Sequence, residues 1–320
     1  MAERNYPLVL GLMISGLFVL LALFGSRLAP QDPMESFNRI VVDGQAFYRP
    51  FRPGQFAQFP LGTDQAGRDL LSRILWGVRP TMILCGVVVI VRMVVGVPLG
   101  LLAGWFRGAT ERVVDTAISV SLAVPALIFA MAVISLLDVT KGLSVFIVAL
   151  SLTGWADIAD LVKNRTLATA QEPYIESARS VGVPSWGILR QHILPQLWPI
   201  LPSVVAFELS AVLLLVAELG FLGLYIGGGF VYYVARGDIP ADWAKLTSGY
   251  PELGQLLSDI WASIILVPWQ IASASVVVLL AIFGFNMLGE GWRRRMDITR
   301  LHSRRRWWDG VLRGLGKPVE

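Results

Sequence analysis

Five stretches of this chain stay apolar for about twenty residues or more, the length a helix needs to cross the hydrocarbon of a bilayer. They are residues 8–28, 80–105, 113–137, 199–226 and 265–289. A sixth, 143–162, is apolar from Leu143 to Trp155 and ends in Asp157 and Asp160. Backbone groups in lipid must be satisfied within the segment, so such runs fold as helices and not as open sheets or loops. The pattern predicts an all-α integral membrane protein with about six transmembrane helices. Composition points the same way: 55% of the 320 residues are hydrophobic and 16% are charged, against about 25% charged in a soluble protein. A water-soluble core of this size could not hide 15 Phe and 11 Trp together with the Leu, Val and Ile runs.

Several chemistries are excluded. The single cysteine, Cys85, allows no intrachain disulfide and no multi-cysteine metal site. Two histidines, His192 and His302, leave little for metal ligation. There is no Walker A loop, nucleophile elbow or metal-ligand cluster. No catalytic residue, cofactor or metal is therefore expected on this chain, and it should not hydrolyse ATP itself.

Arginine and lysine set the orientation. With the amino terminus inside, the cytoplasmic pieces are 1–7, 106–112, 163–198 and 290–320, the last holding nine basic residues against four acidic ones. Both ends of the chain then lie in the cytoplasm. The basic tail, 293–320, follows directly on an apolar segment and reads as a membrane flank, not as a nucleic-acid contact. Residues 29–79 disagree, being external yet holding six arginines. The first apolar run reads as a retained helix, because it is longer than the core of a cleaved signal peptide and GSRLAP is a poor cleavage site.

The chain divides accordingly. Residues 1–60 comprise the first span and an external piece, whose five prolines between 29 and 60 predict extended or irregular structure. In 61–79, Thr63 or Asp64 can cap a helix. Leu70, Leu71, Ile74 and Leu75 then form an apolar stripe, with Arg68, Ser72 and Arg73 on the other side. This reads as an amphipathic helix lying at the interface, or equally as one of a small external domain. Residues 80–292 form the membrane core, with a cytosolic loop at 163–198 and an external loop at 227–264.

The cytosolic loop is the most informative. In EPYIESARSVGVPSWGILRQHILP, Glu172 and Pro173 start a helix that runs through Val181. Gly182 can take the left-handed conformation that ends it, and Pro184 prevents continuation. A second short amphipathic stretch, Trp186 to Leu194, ends at Pro195.

The spacing of Glu176, Ser177, Ala178 and Gly182, followed by Leu194 and Pro195, resembles the Glu-Ala-Ala loop of permease subunits of bacterial ABC importers. The strings GTDQAGRDLLSRILWG, EPYIESARSVG, RQHILP and ELGFLGL are similar to the C-type permease of the dipeptide, oligopeptide and nickel importer family. The resemblance covers residues 61–225 and, less sharply, 265–297. Ser177 stands where the general motif has Ala, and His192 where it has Ile. The segment 223–261 looks longer than, and unlike, the family's short external connection.

The resemblance implies a multi-pass protein of the bacterial inner membrane that imports peptides or a related solute. Its implied partners are a second, homologous B-type permease, two ATP-binding subunits carrying ATP and magnesium, an extracytoplasmic solute-binding protein, and membrane lipid. The cytosolic segment becomes a coupling helix that rests on an ATPase, with Glu172, Tyr174, Glu176, Ser177, Ala178 and Gly182 as its coupling residues.

Charges inside spans need partners. An arginine at mid-membrane costs about 2.5–3.5 kcal/mol on insertion scales. By helical rise, Arg92 lies roughly 20 Å from the inner end of its span, Glu208 roughly 14 Å and Glu218 roughly 28 Å. The depths favour a contact between Arg92 and Glu208, which either lines the pathway or ties two helices together. Gly96, Gly100 and Gly104 make a ridge on the same span suited to close packing. Two other classes stay open: a secondary transporter, which would need intramembrane ion sites and repeated halves, and a membrane scaffold with no need of a lever helix.

Overall fold

A computed structural model describes residues 5–226, 230–233, 245–248, 251–258 and 260–296. The helices in chain order begin with α1 (Tyr6–Leu28), α2 (Leu70–Trp105), α3 (Ala109–Ala123), α4 (Ala126–Leu137), α5 (Leu143–Ser151) and α6 (Trp155–Ala170). Three short ones follow, α7 (Pro173–Ser180), α8 (Ser185–Ile188) and α9 (Leu194–Leu197), then α10 (Leu201–Phe221). The last are α11 (Leu253–Leu256), α12 (Ile260–Leu266) and α13 (Pro268–Met296). Two antiparallel hairpins complete the described residues: β1 (Arg39–Val42) with β2 (Gln45–Tyr48), and β3 (Phe230–Tyr233) with β4 (Lys245–Ser248).

Five segments are long and apolar enough to cross a membrane: α1, α2, the joined α5–α6 stretch Leu143–Ala170, α10 and α13. The sixth apolar run, 113–137, is not a straight helix. It lies in α3 and α4, which meet at 87°. Val124 precedes Pro125, whose ring pushes its neighbour out of the helical region, and Val124 is extended at φ −103°, ψ 125°. The weak sixth run reaches further than expected, to Ala170, and is itself interrupted between Ser151 and Trp155.

α1 packs on α13 and α2, and α10 packs on α13 and α2. The core is a buried apolar cluster that includes Val88, Phe146, Leu150, Val212 and Phe285. α2 and α6 run side by side in the same direction, Gly96 facing Trp155, Gly100 facing Ala159 and Gly104 facing Thr166. The glycine ridge is therefore the surface on which α6 lies.

Three expectations from sequence are corrected. The separate interfacial helix over 61–79 does not form: α2 starts at Leu70, is capped by Asp69 and not by Thr63 or Asp64, and continues directly into the span. Its polar side is buried, because Gln31 and Pro33 cover it: the Gln31 N–H donates to Ser72 Oγ at 3.0 Å and Arg73 donates to the Pro33 carbonyl at 3.2 Å. The proline-rich stretch before it is extended or irregular as expected, and its extended part is the β1–β2 hairpin, turned at Asp43-Gly44. The stretch after Trp186 does not stop at Pro195. It widens to a π-helix over Leu189–Ile193, where the Leu194 N–H bonds to the Leu189 carbonyl, and then runs on as α9 with Pro195 in its first turn.

The third correction concerns the loop expected at 227–264. Residues 251–258 are buried in the protein rather than exposed, with Glu252 at 1% and Gln255 at 2% exposure. Residues 227–229, 234–244, 249–250 and 259 of that loop lie outside the described residues, as does the basic tail from 297 onward.

The ridge makes a testable claim. A Cβ at Gly100 would overlap the Ala159 carbonyl, a backbone atom that cannot swing aside, whereas Gly86 on the same helix has open space. Gly100→Val should destabilise the purified protein by about 3 kcal/mol, the upper end for overpacking, and Gly86→Ala should not. Thermal melts in detergent would show a clear loss for the first and none for the second.

Candidate functional site

At mid-membrane the chain closes a four-bond clamp around one guanidinium. Arg92, in α2, is 2% exposed. Its Nε and Nη2 both donate to the Leu150 carbonyl, at 3.0 and 2.9 Å, and Nη2 also donates to Thr153 Oγ1 at 2.7 Å. Its Nη1 donates to Glu208 Oε2 at 2.7 Å. The carbonyl is available because α5 stops at Ser151, leaving its last carbonyls without helical partners. Gly154 closes the break at φ +71°, and a side chain there would overlap the Arg92 guanidinium. Glu208 comes from α10, so three elements meet at one cation.

The structure thus brings Arg92 and Glu208 together, and it does not bring Glu218 to them. Glu218 lies ten residues further along α10, half-buried, and forms no ion pair among the described residues.

At the end of the bundle where α2 finishes, α7 forms a rigid, projecting turn. Glu172 is its N-cap residue, extended at φ −71°, ψ 139°, with Pro173 in the first turn. Its other end closes with two bonds, the Gly182 N–H to the Arg179 carbonyl at 3.0 Å and the Val183 N–H to the Ala178 carbonyl at 3.1 Å. This is the Schellman pattern, and Gly182 supplies the left-handed residue it needs at φ +86°.

One side of α7 anchors it. Ile175 is fully buried with Ile188, Leu189 and Ile193, with Ala178, Leu101 and Trp105 against them. The Arg179 guanidinium lies 4.5 Å from the Trp105 ring centre, and the Tyr174 and His192 rings stack at 6.4 Å. The other side is exposed: Glu172, Tyr174, Glu176, Ser177 and Gly182 face outward. Ala178 does not, being half-buried against the chain's own cluster. Sequence reasoning missed the most exposed apolar groups here, Val181 at 82% and Trp186 at 70%. No signal in the sequence marked them, since Val181 has Ala178 and Trp186 has Leu189 at helical spacing on the buried side.

At the opposite end of α2 a second polar cluster forms. Asp64 pairs with Arg68 at 2.7 Å and with Arg73 at 3.6 Å, and Arg73 Nη2 donates to Gln255 Oε1 at 3.1 Å. Beside it the Glu252 carboxylate accepts the Ile226 N–H at 2.9 Å and the Gly254 N–H at 3.3 Å. The Leu253 N–H donates to Thr81 Oγ1 at 3.1 Å. Burial pushes the Glu252 carboxyl up to about 7, although the backbone N–H donors of Ile226 and Gly254 pull it down.

A model of the family described as binding-protein-dependent transport system inner membrane component matches residues 96–298. The chain belongs to this family. It is a permease subunit of an ABC importer of the peptide-transport branch, a multi-pass component of the inner membrane. It is 31% identical to a glutathione transport system permease protein of Pectobacterium atrosepticum, covering 88% of this chain and 85% of the relative. It is 26% identical to a dipeptide transport system permease protein of Haemophilus influenzae, over 92% of this chain and 91% of the relative. An inward-facing methionine ABC transporter shares the fold, with a TM-score of 0.51 and 21% identity, covering 67% of this chain and 91% of that one. Importers of this family work with ATPase and solute-binding partners.

Two predictions follow from the clamps of this permease. Arg92→Met removes four hydrogen bonds and leaves Glu208 and the Leu150 carbonyl without their donor, so it should cost about 3–5 kcal/mol. Glu208→Gln keeps an acceptor and three of the four bonds, and should cost about 1 kcal/mol. Melting of the two purified variants checks the order. For Glu252, the folded value lies above the ordinary carboxylate value of 4.5. The contribution of the protonated form is therefore complete below about 4.5 and is lost as pH rises through about 7. Stability should fall across that window in the wild type and stay flatter in Glu252→Gln, read as the pH dependence of the melting temperature.

Proposed function

We propose that this permease forms half of the translocation pathway for di- or oligopeptides in an ATP-driven importer. The other half is a related but non-identical B-type permease. Two ATPase subunits, which carry ATP and magnesium, and an extracytoplasmic solute-binding protein complete the assembly. The peptide assignment is supported by the relatives, among them dipeptide and glutathione permeases. This chain hydrolyses no ATP and binds no cofactor in this reading. Both of its ends and the α7 end of the bundle face the cytoplasm, in accord with the basic residues at 163–198 and in the tail.

The observation that carries the reading is the two-sided build of α7. One side is locked to the end of α2 by Ile175 and Arg179, and the other presents Tyr174, Glu176, Ser177, Val181 and Trp186 to solvent. A lever must be stiff where it joins its own chain and free where it meets the motor. Glu172 and Gly182 set its two ends, and Ala178 helps seat it on the cluster of Ile175, Ile188, Leu189 and Ile193. Glu176 and Tyr174 contact the ATPase groove, where a cation meets the carboxylate. Arg92 and Glu208 tie the pathway helices together, and Glu218 lies toward the far mouth of the pathway.

The test is purification of the tagged chain from its native host in mild detergent, with mass spectrometry of what stays bound. Wild type should retain a second permease and ATPase subunits. Val181→Asp, an exposed change that leaves the fold intact, should lose the ATPases and keep the second permease. Gly182→Leu should do the same through loss of the left-handed turn. Retention of ATPase at wild-type level in both variants would rule out α7 as the coupling element.

A further inference from the structure

A cleft of about 870 Å³ opens between the α3–α4 elbow and the α5–α6 break, with mostly apolar walls. Both walls are places where the backbone leaves the helix at membrane depth, at Val124-Pro125 and at Leu152–Gly154. Irregular backbone is tolerated at that depth where it is buried in protein or lines a water-filled cavity. An exposed carboxylate on the wall at that depth, Asp157, marks the cleft as wet.

Its charges are specific. Asp157, in the first turn of α6, lines the cleft, is exposed to it, and makes no hydrogen bond or ion pair among the described residues. Its carboxylate is within electrostatic reach of Glu208 behind the wall. Arg92 supplies one positive charge against these two negative ones. Asp160, the next charge along α6, accepts from Asn164 at 3.1 Å, and beyond it Lys163 pairs with Asp115 of α3 at 2.5 Å. Arg112 lines the cleft one turn before Asp115, toward the α7 end. Since α3 returns antiparallel to α2 and α6, helical rise separates Arg112 from Asp157 by about 14 Å along the cleft. The mid-membrane end is thus net negative and the other end positive.

We propose that this cleft is a solute subsite in which Asp157 takes the protonated amino terminus of a peptide, with its carboxylate end toward Arg112. This deepens the peptide-importer reading and rests on it. An extended chain advances about 3.3–3.6 Å per residue, so the charge separation suits short oligopeptides lying along the cleft. The mostly apolar remainder of the walls accepts varied side chains.

The experiment uses the complete importer, purified with its partner permease, ATPases and solute-binding protein and reconstituted in liposomes. Ser121, on the cleft wall, is replaced by Cys, while Cys85 is fully buried and does not react. A cationic methanethiosulfonate should label Ser121→Cys faster than an anionic one, and Asp157→Asn should reduce that preference by about tenfold, the worth of one charge-assisted contact. A free-amino tripeptide should slow the labelling and its N-acetylated form should not. Uptake of the free-amino tripeptide should fall by a similar factor in Asp157→Asn and recover in Asp157→Glu. Equal labelling by both reagents, or wild-type uptake in Asp157→Asn, would overturn the subsite and leave peptide import standing. A wild-type importer that moves no peptide would overturn the peptide reading, and the subsite with it.

Discussion

A guanidinium held in the middle of a bilayer needs acceptors that lipid cannot supply, and most of this fold is arranged around providing them for Arg92. An unbroken helix over residues 143–170 would spend the Leu150 carbonyl on its own ladder. The break after Ser151 frees that carbonyl, Thr153 adds a hydroxyl, and α10 adds the Glu208 carboxylate. The break and the arginine therefore require each other: without Arg92 the carbonyl is orphaned in an apolar core, and without the break the arginine lacks most of its acceptors. The same interruption brings Thr153 and Asp157 to the wall of the cleft, so a stability requirement and a pathway feature have one origin.

α2 distributes that constraint along the molecule. Its 36 residues extend about 54 Å at the usual rise, well beyond the hydrocarbon thickness of about 30 Å. Arg73 near its start joins Asp64 and Gln255, Arg92 in its middle joins α5 and α10, and Trp105 at its end lies under Arg179 of α7. The ridge of Gly96, Gly100 and Gly104 fixes α6 to it at backbone contact. Motion of α7 is thus passed to a packed pair of helices, not to a loop, and the pair carries both the clamp and one wall of the cleft.

Much of this was legible in sequence where a single local rule decides the outcome. Apolar length located five of the spans, Glu172-Pro173 and Gly182 located the ends of α7, and simple depth counting paired Arg92 with Glu208 and separated Glu218. The failures share another cause. Ser72 and Arg73 read as a solvent-facing side because their covers, Gln31, Pro33 and Gln255, come from segments up to 182 residues away. Glu252 in a polar stretch reads as external loop, yet backbone donors from Ile226 and Gly254 let it be buried. The bend at Val124-Pro125 was available in the residue before proline, but hydropathy alone averages across it.

The motif on α7 can be divided by physical role. A helix of eight residues is unstable by itself, since it gains few backbone bonds for a costly nucleus. Its shape has to be imposed from both ends and from below. Glu172-Pro173 imposes the start, Gly182 the end, and Ile175 with Ala178 the seat on Leu101 and Trp105. What remains of the signature, Glu176 and Ser177, makes no contact that holds the helix, and together with the exposed part of Tyr174, Val181 and Trp186 it faces outward. The residues that build the lever and those that face outward are therefore interleaved on one short helix, with Tyr174, stacked on His192 yet part-exposed, belonging to both.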